Sequence, residues 1–212
     1  MTLIGMMLKN NKTYYMQKSF FTLVVVFTLF VFVPKSFSIE ADVFVQSTVN
    51  RAADTLSGGL TKEQRIEELK KIAKDTVDIR GIGFYSLGSH RKGLSEEKKN
   101  EYSKVFEEYF MTSFSSRLAE YSNPIIEVNS KEKINDNYTI VSSILVATEK
   151  RPEIKIEWRI YTKNPDKPLI RDLIIEGLSL ARTQKEEFNS IIQSADGDID
   201  ALLSNLKNFS NE

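Results

Sequence analysis

The chain has 212 residues, 41% of them hydrophobic and 27% charged, which is the composition of an ordinary globular protein with one domain. It contains no cysteine, and this excludes a disulfide framework and a thiolate metal site. The 29 basic and 29 acidic side chains balance one another, so the chain lacks the cationic excess of a nucleic-acid-binding protein.

The N-terminal segment has the layout of a secretory signal peptide. Three lysines precede an uncharged, mostly apolar run over 19–33, and Ser36 and Ser38 follow as the small residues of a cleavage site. The run is about fifteen residues long, whereas roughly twenty are needed to cross a bilayer core. We therefore expect 1–38 to be a signal peptide that is cleaved after Ser38. An uncleaved membrane anchor is the alternative.

Cleavage changes the charge of the remaining domain, 39–212. Met1 and Met16 are both compatible with the signal peptide, since each leaves lysine ahead of the apolar run. Four lysines and no acidic residue lie within 1–38, so the mature chain carries 25 basic and 29 acidic side chains, a net charge of −4. This charge disfavours nucleic acid and lasting electrostatic adhesion to anionic membranes.

The first half of the mature chain is predicted to be helical. Apolar side chains recur at helical spacing over 41–57 and 61–77, and Thr61 and Gln64 form a capping box at the start of the second helix. A short helix is predicted over 82–87.

A long helix follows, which Ser95 caps and Pro124 stops. One face of this helix is heavily aromatic and comprises Tyr102, Phe106, Tyr109, Phe110, Phe114 and Tyr121. Such a face must pack against apolar partners or hold an apolar ligand.

The second half changes to the two-residue period of β-strands. Strands are predicted over 125–129, 138–148, 153–162 and 169–176, with turn residues between them. The third alternates strictly, because charged residues separate the apolar side chains Ile154, Ile156, Trp158 and Ile160. One face of this strand is therefore buried and the other is wet.

The last strand has apolar side chains on both faces. Leu173 and Ile175 lie on one face and Ile174 on the other, because side chains alternate along a strand. Gly177 ends the strand, and it runs straight into a helix that ends near Gln193. A helix layer can cover one face, and the other requires a second layer or an apolar ligand.

The strand over 138–148 is also apolar on both faces, with the small Ser142 and Ser143 at its centre. Small side chains opposite an aromatic helix leave room for a ligand. The order of elements predicts an α+β fold, with helices packed on a curved four-stranded antiparallel sheet. An apolar cavity between these layers would suit a hydrophobic ligand.

Few residues suit metal binding. His90 is the only histidine and has charged neighbours in a loop. Asp196, Asp198 and Asp200 have calcium-like spacing but lack the downstream glutamate of an EF-hand loop. We interpret Asp198 as the cap of a last helix and predict no metal.

Catalytic motifs are equally scarce. No Gly-x-Ser-x-Gly motif occurs. Asp172 and Glu176 share one strand face, which fits an outward ion-pairing surface better than a pair of catalytic carboxylates. We predict no catalytic residue and no cofactor.

Three segments carry a family resemblance that covers about 41–208. The first runs from Val77-Asp78-Ile79 to Leu87-Gly88 and into the aromatic helix. The second and more specific one reads Arg171-Asp172-Leu173-Ile174-Ile175-Glu176-Gly177-Leu178-Ser179-Leu180, with Gln184 and Glu187-Phe188 beyond it. The third is Gly197-Asp198-Ile199-Asp200-Ala201-Leu202, which continues to Leu206. These segments resemble the signatures of the MlaC proteins, also called the toluene-tolerance family of transport auxiliary components.

The resemblance implies a soluble periplasmic phospholipid carrier, not an enzyme, whose bound phospholipid is cargo. The implied partners are an outer-membrane lipoprotein–porin complex and an inner-membrane ABC transporter complex with a lipid-binding substrate-domain ring. The implied fold resembles the cone of nuclear transport factor 2 relatives, with the acyl chains buried and the headgroup outside.

We expect the side chains that line or border the lipid cavity to be Phe84, Leu87, Phe106, Phe110, Phe114, Ile144, Val146, Ile156, Trp158, Leu173 and Ile175. Two alternatives stay open. An isomerase-like enzyme on the same cone would need a titratable group such as Asp172 or Tyr138 inside the cavity. A membrane-tethered interaction module would retain 19–33 as its anchor.

Overall fold

Helices come first along the chain, then strands, then two more helices. The computed structural model describes residues 38–211, so 1–37 of the predicted signal peptide and Glu212 lie outside the described residues. The helices are α1 (Ala41–Ser57), α2 (Lys62–Thr76), α3 (Ile79–Ser86), α4 (Glu96–Ala119), α5 (Leu180–Ser194) and α6 (Ile199–Asn211), with a 3-10 helix at His90–Gly93. The strands are β1 (Ile126–Asn135), β2 (Tyr138–Leu145), β3 (Ile154–Tyr161), β4 (Leu169–Ile175) and β5 (Leu178–Ser179).

The strands form one antiparallel sheet in the order β1-β2-β3-β4-β5. The predicted α+β class is confirmed, with a short fifth strand added to the expected four. Within residues 38–211, no helix is both long and apolar enough to span a membrane.

The capping box predicted for the second helix is present, whereas the short third helix begins earlier than predicted. Gln64 N–H donates to Thr61 Oγ1 at 3.3 Å, and Thr61 N–H donates to Gln64 Oε1 at 2.9 Å, which completes the capping box. The predicted start of the short helix was wrong by three residues. Asp78 Oδ1 accepts the N–H of Gly81 at 2.9 Å and begins α3 at Ile79.

Two strands differ from their predicted bounds by more than one residue. β1 is ten residues long because its polar second half pairs with β2. This half has no alternation of apolar and polar residues, so the sequence did not predict it as a strand. β2 ends at Leu145, although Val146 N–H still donates to the Ile125 carbonyl oxygen at 2.9 Å.

The chain does not run directly from β4 into a helix. Glu176 and Gly177 both have positive φ, 49° and 83°, as the two central residues of a tight hairpin turn do. Leu178 then pairs with Ile175, and Ser179 Oγ accepts the N–H of Arg182 to cap α5. The predicted break at Gly177 is confirmed, and the hairpin between strand and helix is new.

The sheet has an inner face that packs on helices and an outer face. Val141 pairs with Trp158 and Trp158 with Leu173, which places these three on the inner face. A first apolar cluster joins the inner face to α1, α2 and α4. Its buried members are Ala41, Val45, Val49, Ala73, Val77, Met111, Val141, Leu145, Ile156, Trp158, Ile160 and Ile170.

A second apolar cluster joins α3, α4, α5 and α6. Its buried members are Leu87, Tyr102, Val105, Phe106, Phe188, Ile192, Leu202, Leu203 and Leu206. Gly83 allows α3 to lie close to α4, because a Cβ at this position would be 2.7 Å from Phe106 Cδ1. Burial raises the pKa of Tyr102, whose hydroxyl donates to the Gly83 carbonyl oxygen at 2.9 Å.

Candidate functional site

Five large apolar side chains on or beside the first cluster remain partly exposed, and we name this set the apolar band. It consists of Phe110, Phe114, Leu173, Ile175 and Leu178. The first three pack against the cluster without being fully buried. Ile175 pairs on one side with buried Ile156 and on the other with Leu178, which is 59% exposed. Large apolar side chains that stay open to solvent beside a core form a surface suited to an apolar ligand.

The aromatic part of the apolar band lies at the junction of the two clusters. The rings of Phe110 and Phe114 stack, with centroids 5.4 Å apart and an angle of 12° between the planes. Phe110 packs against both clusters. A ligand on the apolar band would therefore contact a surface fixed by both halves of the core.

The eleven residues predicted for the cavity fall into three places. Those on or beside the first cluster are Phe110, Phe114, Ile156, Trp158, Leu173 and Ile175. Those in the second cluster are Phe84, Leu87 and Phe106. Ile144 lies on the outer face, and Val146 follows the end of β2. Their contact with lipid stays a prediction.

The room expected beside the central serines of β2 is partly filled. Trp158 Nε1 donates to Ser143 Oγ at 2.8 Å, and Ser143 Oγ donates to the Ile156 carbonyl oxygen at 3.3 Å. The small serine therefore serves as a hydrogen-bond partner for the buried indole.

A second concave feature, which we name the arginine groove, lies on the outer face and has a volume of about 510 Å³. Its polar and aromatic lining comprises Tyr85, Arg91, Asn135, Tyr138, Arg159, Arg171 and Asp172. The groove also includes parts of β1, α3 and the first turn of α5. Its three guanidinium groups are offset by two carboxylates, because Asp172 belongs to the lining and Asp78 pairs with Arg171, so one positive charge is in excess.

A β-bulge places Arg171 in this groove. Arg159 pairs with Asp172 and Ile160 pairs with Ile170, so Arg171 is the extra residue of β4. Its Nε donates to Asp78 Oδ2 at 2.6 Å and its Nη1 donates to the Tyr138 hydroxyl at 2.7 Å.

The Arg171 guanidinium also stacks on Tyr161, 3.7 Å from the ring centroid. Burial lowers the pKa of Arg171, but hydrogen bonds to Tyr138 and Asp78 outweigh burial and raise the pKa. Arg171 thus remains charged and clamps β4 to β2, β3 and the start of α3.

Asp172 was predicted to lie on an outward ion-pairing surface. This prediction is wrong, because the residue is only 4% exposed. Its Oδ2 accepts from Ser179 Oγ at 2.6 Å, and its Oδ1 accepts from Ala181 N–H at 3.0 Å. A carboxylate at a helix N-terminus is favourable because the first N–H groups lack helical partners. Asp172 therefore anchors the start of α5 to the sheet.

Metal-ligand geometry is not present in the part of the chain from 38 to 211, where no three His, Asp or Glu side chains converge. Asp198 Oδ1 accepts the N–H of Asp200 at 2.9 Å, directly before α6. The interpretation of Asp198 as a helix cap is confirmed. His90 Nε2 lies 3.0 Å from Asn189 Oδ1, in a 3-10 helix where a loop was expected.

None of the groove arginines was predicted from the sequence to belong to a site. The alternation of β3 places Arg159 and Trp158 on opposite faces of the sheet, so the sequence did indicate which face carries Arg159. Arg91 and Arg171 enter the groove only through the packing of the 3-10 helix and through the bulge. A strict two-residue period would put Arg171 and Asp172 on opposite faces.

Comparison with known proteins identifies the family. The model of the family described as MlaC protein matches residues 45–208. The intermembrane phospholipid transport system binding protein MlaC of Haemophilus influenzae is 26% identical over 160 residues, which are 64% of this chain and 75% of that protein.

A solved structure shows the same fold. It is the phospholipid-binding protein of Ralstonia solanacearum in complex with a phospholipid, with a TM-score of 0.69 and 18% identity. The match covers 82% of this chain and 98% of that chain. Because the family model spans most of the described domain, this chain belongs to the MlaC protein family.

Proposed function

We propose that this protein binds phospholipid, holds the acyl chains against the apolar band, and carries the lipid between two membranes. The observation that carries the proposal is the partial exposure of the large apolar side chains of the apolar band, which lie beside the core. Family membership supports it, as does the name of the Haemophilus influenzae relative, a phospholipid transport binding protein. The Ralstonia solanacearum structure of the same fold contains a phospholipid.

The physical need for a carrier follows from the cost of exposing acyl chains. At about 0.8 kcal/mol per methylene, roughly thirty methylenes cost ~24 kcal/mol when they leave a bilayer for water. A free phospholipid therefore crosses an aqueous space extremely slowly. A protein surface that replaces the bilayer contacts makes the exchange nearly isoenergetic. No bond is broken in this process, so it requires no catalytic residue.

The proposed location is the periplasm, supported by the signal peptide expected over 1–38. There the carrier would exchange phospholipid with an outer-membrane lipoprotein–porin complex and with an inner-membrane ABC transporter complex. The net charge of −4 expected for the mature chain suits brief encounters with anionic membranes, because it provides no lasting attraction to them.

Lipid analysis of the purified protein tests this proposal. We expect organic extraction and mass spectrometry of protein from its native compartment to yield close to one phospholipid per chain, because apolar ligands dissociate slowly into water. An unrelated protein purified in parallel from the same compartment is the control for carried-over membrane. A chain that contains no phospholipid and takes up none from vesicles would contradict the proposal.

A further inference from the structure

The arginine groove has no role in the function proposed above. We propose that it is a second binding site, which takes a phosphate ester with a small organic group. It differs from the apolar band in position and charge.

The two sites lie on opposite faces of one sheet. In β4, Leu173 and Ile175 of the apolar band alternate with Asp172 and Ile174. Asp172 lines the arginine groove, and its strand partner Arg159 does so as well. Since paired residues point to the same side, acyl chains on the inner face and an anion in the groove do not compete for space.

Two of the three arginines have donors to spare. Arg91 Nη1 donates to the Phe84 carbonyl oxygen at 3.3 Å, and Arg91 forms no ion pair with any residue from 38 to 211. Arg159 is 43% exposed at its side chain, and Nη1 lies 3.8 Å from Asp172 Oδ2. That separation is too long for a good hydrogen bond, and Asp172 already accepts from Ser179 and Ala181.

Arg171 supplies a fixed charge, not a free donor set. Its fork is occupied by Asp78 and Tyr138, so it cannot swing away from the groove. The Tyr138 hydroxyl, which accepts from Arg171, keeps its own proton available for a ligand oxygen. The groove therefore offers two adaptable guanidinium groups around a rigid centre.

Phosphate chemistry fits this arrangement better than a carboxylate. A guanidinium fork saturates one carboxylate, whereas the non-bridging oxygens of a phosphate ester can accept from Arg91 and Arg159 together. A volume of about 510 Å³ exceeds that of a bare ion and lies within the range of small-molecule sites. Ile82, Ile140 and the Tyr85 ring provide apolar walls for the organic part.

Calorimetric titration tests the site with three probes, inorganic phosphate, glycerol 3-phosphate and vesicles that contain phosphatidylglycerol. We expect glycerol 3-phosphate to bind more tightly than inorganic phosphate, because its organic part contacts the apolar walls. If only vesicles bind, and the arginine variants below abolish that binding, the phosphate comes from lipid headgroups and the site still stands. Failure of all three probes at millimolar concentration overturns the proposal.

The matched variants are Arg91→Gln with Arg159→Gln, and Arg182→Gln as a surface control outside the groove. The double variant should weaken phosphate binding at least tenfold, as expected when charged hydrogen bonds are lost, and the control should not. Equal weakening in the control would reduce the effect to general electrostatics and overturn the assignment. Lipid content in the double variant should stay at the wild-type level, which separates this site from the proposed carrier function.

If the double variant fails to fold, NMR chemical-shift mapping of the unmodified protein tests the same site. Glycerol 3-phosphate should perturb the amide resonances of Gly81, Asn135 and Ala181, which line the groove. Perturbations confined to residues elsewhere would refute the site.

Discussion

Replacing Ile175 with glutamate is expected to abolish phospholipid retention while most of the secondary structure persists. Ile175 is only partly buried, so the new carboxylate can reach water in the lipid-free protein. With lipid bound, the same carboxylate would lie against acyl chains, where an uncompensated charge is very costly. Lipid mass spectrometry of the purified variant, with circular dichroism as the measure of folding, checks the prediction.

The neighbouring residue provides the control. Ile174 lies on the outer face, paired with Glu157, so Ile174→Glu adds a charge away from the apolar band. Its cost in stability is about 0.2–1 kcal/mol, from like charges on adjacent strands. Wild-type lipid content in Ile174→Glu and none in Ile175→Glu is the predicted pattern. Normal lipid content in both variants would remove Ile175 from the site.

Replacing Phe106 with alanine is expected to lower the free energy of unfolding by about 3–5 kcal/mol, the cost of emptying a well-packed aromatic site. Phe106 is 1% exposed, and its ring lies 5.7 Å from that of Tyr102 and 6.1 Å from that of Phe188, centroid to centroid. It thus joins α4 to α5 within the second cluster. Urea denaturation followed by circular dichroism measures the loss.

Phe209→Ala is the comparison at an exposed position of the same residue type. Phe209 is 39% exposed, and its ring centroid lies 5.1 Å from that of Tyr109. We expect this variant to lose about 1 kcal/mol, the size of one aromatic pair. Equal losses in the two variants would mean that the second cluster does not depend on Phe106.

Local signals in the sequence predicted the helices and the central strand. The capping box at Thr61 and Gln64 needs only residues three apart, and it appears in the structure as expected. The alternation from Ile154 to Ile160 matches the burial of β3. These features depend on neighbours along the chain, so the sequence contains their whole cause.

Features that depend on distant pairing were missed. The second half of β1 has no apolar period, and it becomes a strand because β2 lies beside it. The bulge at Arg171 depends on the register between β3 and β4, which no local pattern encodes. Asp172 is buried by α5, which folds back over β4. The pattern of the strand contains no sign of this packing, so the sequence wrongly placed Asp172 on the surface.

The candidate site was predictable only in part. The apolar character of both faces of β4 predicted a cover for each face, and Leu173, Ile174 and Ile175 remain partly exposed, so an apolar ligand at this strand stays a prediction. Which aromatic side chains stay partly exposed, such as Phe114, and which are buried, such as Phe106, depends on how four helices pack. The arginine groove combines side chains from the 3-10 helix, β2, β3 and β4, so it exists only in the folded chain.

We propose that the acyl chains lie on the inner face of the sheet, against the apolar band, and photo-crosslinking can locate them. A photoreactive phenylalanine analogue is placed at Leu178 in one variant and at Glu157 in another. Leu178 belongs to the apolar band, whereas Glu157 is exposed on the outer face and does not line the arginine groove. We predict phospholipid adducts at position 178 and none at 157. Adducts at 157 alone, or at neither position in lipid-loaded protein, would show that the acyl chains do not lie on the inner face.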